Sequence, residues 1–197
     1  NGIDADTEWR VNYMEREKIL RDVARAKELA DFVIVSAHWG WDDIFEIDGF
    51  QREYAGVFAE AGVDLVVGTG PHLIQHIEWI DREDGGKMLC AFSLGNYVSG
   101  MLGAFNELTG VLKLDFVLDV DGGRRIENVE FVPLVMHKEP SETVMHVYPL
   151  GEYTDALAAR SSVNHYRGGL SVSYLHRILH EQIADEFLPA AYRGKHE

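Results

Sequence analysis

The sequence predicts one α/β domain spanning 1–197, built on a mixed sheet, and three observations carry that prediction. Helical and apolar strand-like segments alternate through the first half of the chain. Two long alternating segments in the second half meet at Asp121-Gly122-Gly123, a hairpin turn signal. The composition, 46% hydrophobic and 26% charged over 197 residues, belongs to a globular chain large enough for a real core.

Residues 14–30 place Ile19, Val23, Ala26 and Ala30 at helical spacing with charges between them, the pattern of an amphipathic helix. "DFVIVSAH" follows as an apolar strand. "FQREYAGVFAEAG" reads as a second helix stopped by Gly62. "VDLVVGTG" and "MLCAFSLGN" read as further strands, so the first half has the order of parallel strands joined by crossovers. "GVLKLDFVLDVDG", with Leu112, Leu114, Phe116 and Leu118 on one face, and "RIENVEFVPLVMHK" form an antiparallel pair. Residues 149–169 read as loop, and a last helix covers about 170–187.

The net charge of −15 repels nucleic acid and anionic membrane surfaces, and no Lys/Arg cluster offsets it. The single cysteine, Cys90, excludes an intrachain disulfide and reads as a small core residue inside a strand. No apolar run reaches the roughly 18 residues of a membrane span, and no signal-peptide pattern is visible. The chain starts at Asn1, and a fragment or processed product is the expectation.

Ligands of open α/β sheets bind beyond the carboxyl ends of parallel strands. Three strands here end in Ala37-His38-Trp39-Gly40, in Gly68-Thr69-Gly70-Pro71-His72 and in Ser93-Leu94-Gly95-Asn96. If they are neighbours, His38, His72 and Asn96 converge on one edge, a donor set suited to a borderline divalent metal. Asp42 then serves as an acid/base or as a partner that orients an imidazole. Trp39 and Trp41 are either core aromatics or a platform beside the site, and Asp43 reads as solvated. His176 and His180 share a helix face but lack the glutamate of a helical metalloprotease motif, and Ser93 lacks a nucleophile elbow.

"ADFVIVSAHWGWDD", "FAEAGVDLVVGTGPHLIQHIEWI" and "FSLGNYV", in that order and spacing, resemble the CapA family of bacterial capsule and poly-γ-glutamate synthesis proteins. The resemblance runs from about residue 17 to residue 100. It implies part of a calcineurin-like metallophosphatase sandwich, with mixed sheets flanked by helices. It also implies two divalent ions in the complete domain, with Mn, Fe and Zn as candidates. By position His38 and His72 would be metal ligands, Asp42 and His38 catalytic, and Trp39, Trp41 and Asn96 substrate-binding. Asp42 stands where the family usually has Glu. Gly70 stands where many members carry a further histidine. The family's N-terminal motifs are not found in these residues, so the C-terminal portion of a longer domain is expected.

The function implied is a metal-dependent hydrolase or transferase acting on an anionic or glycan cell-surface polymer. The alternative is a non-catalytic accessory of a membrane-bound capsule synthase or exporter. Expected partners are that polymer, membrane-bound synthase components, and either an N-terminal half or a second copy, with no nucleic acid. The expected location is extracytoplasmic and membrane-associated.

Overall fold

The computed structural model of the chain describes residue 6 and residues 10–194. Helix α1 (Arg16–Lys27) leads into strand β1 (Ile34–His38), and α2 (Gly49–Ala61) leads into β2 (Leu65–Thr69). Asp48 starts α2 with a capping box, its side chain accepting from Gln51 N while Gln51 reaches back to Asp48 N. Gly62 ends α2 in the left-handed conformation at φ 83°. Strands β3 (Ile77–Asp81) and β4 (Lys87–Ala91) complete a four-stranded sheet of order β1-β2-β4-β3. β1, β2 and β4 run parallel, and β3 pairs antiparallel with β4.

A second sheet is antiparallel, of order β5-β6-β7, formed by β5 (Leu108–Leu118), β6 (Arg124–His137) and β7 (His146–Pro149). The short helices α3 (Asp155–Arg160) and α4 (Ser162–Tyr166) precede α5 (Val172–Gln182). The expected mixed α/β sandwich is therefore present, two sheets with flanking helices. Five elements differ from the sequence reading. β3 lies in a stretch to which that reading gives no element. β7, α3 and α4 occupy the end of β6's return and the stretch read as loop, because four to six residues carry too little periodicity to register. The last helix stops at Gln182, and a separate 3-10 turn holds Asp185–Phe187.

The pleat of the first sheet divides the core. Val33, Ala37, Val66 and Cys90 pack with Val23 and Phe58 of the helices. Leu65, Leu89 and Ala91 face the other way and pack with Leu108, Phe131 and Val135 of the second sheet and with Leu175 and Leu179 of α5. Cys90 is fully buried, and burial pushes its thiol well above the usual range, so it is core. Asp64 anchors the entry of both parallel strands: it accepts from Val33 N at 2.8 Å and pairs with Arg82 at 2.8 Å. Among the described residues no helix is long and apolar enough to cross a membrane.

Candidate functional site

The carboxyl ends of β1 and β2 lie side by side, with His38 in register with Thr69. Trp39 N bonds Thr69 O at 2.9 Å, and Asp43 N bonds Pro71 O at 2.9 Å, stitching the two following loops together. The isolated bridge between Ile74 and Leu94 brings in the loop after β4. Topology thus delivers the loops carrying Asp42, His72 and Asn96 to one end of the sheet.

Asn96 grips His72 at both ends of its amide. Its Oδ1 lies 2.9 Å from His72 Nδ1, and its Nδ2 donates to the His72 carbonyl at 3.3 Å. The carbonyl accepts only from the Nδ2 side, which fixes the amide orientation. Oδ1 is then the acceptor of the His72 Nδ1 proton, and Nε2 is the ring nitrogen turned outward. That nitrogen faces Asp42 Oδ1 at 3.7 Å. Asn96 therefore positions the His72 ring.

His38 is exposed, and its Nδ1 lies 3.3 Å from Thr69 Oγ1. Among the described residues no group of three His, Cys, Asp or Glu side chains gathers closely enough to hold a metal ion. The donor chemistry of His72 and Asp42 fits a divalent ion in part, with two donors where such ions take four or more.

The tryptophans separate. Trp41 is exposed, on the loop beside Asp42. Trp39 is buried; its indole N–H donates to Phe92 O at 2.8 Å, and its ring stacks on Phe92 with centroids 5.6 Å apart. The expected substrate contact of Trp39 is corrected to a core role, because its ring is enclosed between α2 and β4. Tyr97, exposed on the loop after β4, is the aromatic that residue-by-residue reading passed over. The sequence signal was its place directly after Ser-Leu-Gly-Asn.

Two residues missed in the sequence hold this end together. His72 (φ 63°) and Asp43 (φ 61°) both sit in the left-handed region without being glycine, at a cost of about 1–2 kcal/mol each. The buried side chain of Asn106 offsets it: Nδ2 donates to the His72 carbonyl at 2.9 Å and to Asp43 Oδ1 at 2.9 Å. Asp43 is exposed, as expected, and it also accepts from Asn106 and so braces the turn. Gln75 is the second, fully buried, bonded to Gln51 at 2.9 Å and donating to Ile44 O at 3.0 Å. Gly70 adopts φ 130°, and a Cβ there would stand 2.0 Å from Trp39 O. The place of the absent histidine is closed to any side chain.

Glu107 follows Asn106 and is 4% exposed; burial raises its pKa from 4.5 to about 8. The folded chain then holds this proton more tightly than the unfolded one. The stability linked to it is full below about pH 4.5 and is lost as pH rises to about 8. Glu107→Gln is expected to remove a fall on the order of 3 kcal/mol across that window, measured by urea unfolding at a series of pH values. An unchanged slope would place the titration elsewhere.

Comparison with known proteins follows the same strands. Residues 2–101 match the family model described as bacterial capsule synthesis protein PGA_cap. The chain is 36% identical over 76 residues to the PGA biosynthesis protein CapA of Bacillus subtilis (strain 168), covering 39% of this chain and 19% of that protein. It is 29% identical over 89 residues to the capsule biosynthesis protein CapA of Bacillus anthracis, covering 43% of this chain and 20% of the relative. It is 32% identical over 100 residues to the uncharacterized protein y4sH of Sinorhizobium fredii (strain NBRC 101917 / NGR234), covering 49% and 20%. The match spans about a fifth of each relative's length. With half of its length under the family model and the motif residues gathered at one sheet end, the chain belongs to the bacterial capsule synthesis protein family.

Proposed function

We propose that this chain carries part of the working site of a capsule biosynthesis protein, a metal-dependent hydrolase or transferase acting on an amide or phosphoester of a cell-surface polymer. The observation that carries the reading is the His72 imidazole held by Asn96, its Nε2 turned to the Asp42 carboxylate across 3.7 Å. Such a pair is built to hold a cation or pass a proton. His72 and Asp42 would be its ligands here, with His38 on the adjacent strand, and a bound divalent ion supplies Lewis acidity. Asp42, exposed, accepts a proton from a group bound at the strand ends. Trp41 offers an aromatic face to an extended polymer or sugar. The names of the relatives support the capsule setting. We place the protein outside the cytoplasm, at the membrane with the polymer synthase.

Two observations favour a second reading. The closed turn at Gly70 and the two-donor set support an accessory of the synthase that inherits the architecture without the chemistry. Polymer formation in cells carrying Asp42→Asn or His72→Ala separates the two. The enzymatic reading expects a loss of about 10²-fold or more and, by elemental analysis of the purified protein, loss of bound divalent metal in the His38→Ala/His72→Ala variant. Undiminished polymer with either substitution would establish the accessory role.

A further inference from the structure

We infer that Glu107 is a proton-controlled latch on the candidate site: its neutral carboxyl keeps Asn106 on the His72 and Asp43 turns, and its ionisation lets them go. The inference concerns how this end of the sheet is seated. It does not depend on catalysis, and its test reads no activity.

The latch is a short 3-10 turn, Ala104–Glu107, set directly before β5. Within it Asn106 Nδ2 reaches the His72 carbonyl and Asp43 Oδ1, each at 2.9 Å. Asn106 Oδ1 is buried without a partner, so the amide holds by Nδ2 alone. The next residue, Glu107, is enclosed by this chain's own core. Among the described residues no cation offsets its charge, and burial alone raises its pKa. A carboxyl so placed is stable only when neutral. Once ionised it must reach water, and the turn that carries it also carries Asn106.

The groups around Glu107 supply no positive charge to it. Burial and the Glu107 charge both push the phenol of Tyr153, beyond β7, above its ordinary range, so it stays neutral. Tyr153 OH lies 2.9 Å from Nδ1 of His137 on β6, and burial lowers the pKa of that ring. Tyr148 of β7 stacks near Tyr153 with centroids 5.9 Å apart. Beyond His137, Glu139 lies 3.7 Å from its Nε2 and pairs with Arg160 at 3.1 Å, so that cation is already matched.

The turn can swing without breaking β5. Thr109 Oγ1 and Gly110 N both bond Leu94 O, at 2.9 and 3.1 Å, and hold the strand downstream. Upstream, Ser99 N bonds Met136 Sδ and Asn96 Nδ2 bonds Met101 Sδ, and thioether sulfur is a weak acceptor. Gln75 still fastens Ile44 and Glu46, so the release is confined to Asp43 and the His72 turn. The closed form binds the Glu107 proton more tightly than the open form. Opening therefore grows about tenfold per pH unit above about pH 4.5 and levels off at about 8.

The test is amide hydrogen exchange read by NMR from about pH 5.5 to about 9.5, as protection relative to the intrinsic rate at each pH. The reporter is the Asp43 amide, bonded to Pro71 O, and the reference is the Leu89 amide, bonded to Asp64 O within the sheet. Asp43 protection is expected to fall about tenfold per pH unit up to about pH 8 and to stay level above it. It is expected to be unmoved by about 1 M urea, which speeds exchange at Leu89. Glu107→Gln is expected to keep Asp43 protected and to abolish the slope. Asn106→Ala is expected to lower the protection at every pH and to leave no slope. A slope at Asp43 that survives either substitution would overturn the inference. Asp43 protection that follows Leu89 in urea would also overturn it, because the proton would then be linked to global unfolding alone.

Discussion

Gly70→His, which writes the family's commoner residue into the turn, is expected to destabilise the fold by about 3 kcal/mol or more and to add no metal affinity. Two costs combine at this position. The backbone at φ 130° is a conformation that side chains rarely adopt, and the new Cβ would stand 2.0 Å from the Trp39 carbonyl oxygen. That oxygen belongs to the backbone joining β1 to the Asp42 loop, so relief requires the two strand ends to part. They are held by the Trp39–Thr69 and Asp43–Pro71 backbone bonds, each 2.9 Å. Urea unfolding gives the stability, and titration with Mn or Zn gives the affinity. A stable variant that binds metal more tightly would show that the turn has a second low-energy form and that the glycine is incidental.

Trp39→Ala and Trp41→Ala are expected to part sharply although only Gly40 separates them. The first removes a buried indole packed on Phe92 and Phe58 and leaves Phe92 O without its donor. A loss of about 3–5 kcal/mol follows. The second removes a ring that is 71% exposed, and stability is expected to stay within about 0.5 kcal/mol. Its effect belongs to binding: weaker retention on the capsule polymer at unchanged unfolding midpoint. Equal destabilisation by both substitutions would mean that Trp41 packs onto the loop and offers no free face.

The parallel strands were legible because their apolar runs end in glycine or polar turns, and the final amphipathic helix was legible by its period. β3, β7, α3 and α4 were not, being four to six residues long and held by neighbours that sequence spacing does not reveal. At the site, strand order put His38, His72 and Asn96 on one edge; His72 and Asn96 meet at 2.9 Å, while His38 contacts Thr69. The roles were not legible. Trp39 and Trp41 are the same residue type two positions apart, and the left-handed turn at Gly40 (φ 78°) between them leaves one in the core and the other exposed. Asn106 lies in a 3-10 turn far along the chain from His72. Only tertiary folding shows that its amide holds a left-handed histidine.

The pair of buried glutamines carries a polarity. Asp48 N donates to Gln51, Gln51 to Gln75, and Gln75 to the carbonyls of Ile44 and Glu46. Reversing either amide would set like dipoles against each other in a dry interior. The segment bearing Trp41 and Asp42 consequently has one seating on the sheet, fixed before any ligand arrives. A ligand meeting it would lose no entropy to ordering that loop, so binding there would be lock-like, with residence time set by the contacts made and not by a gate that must reopen.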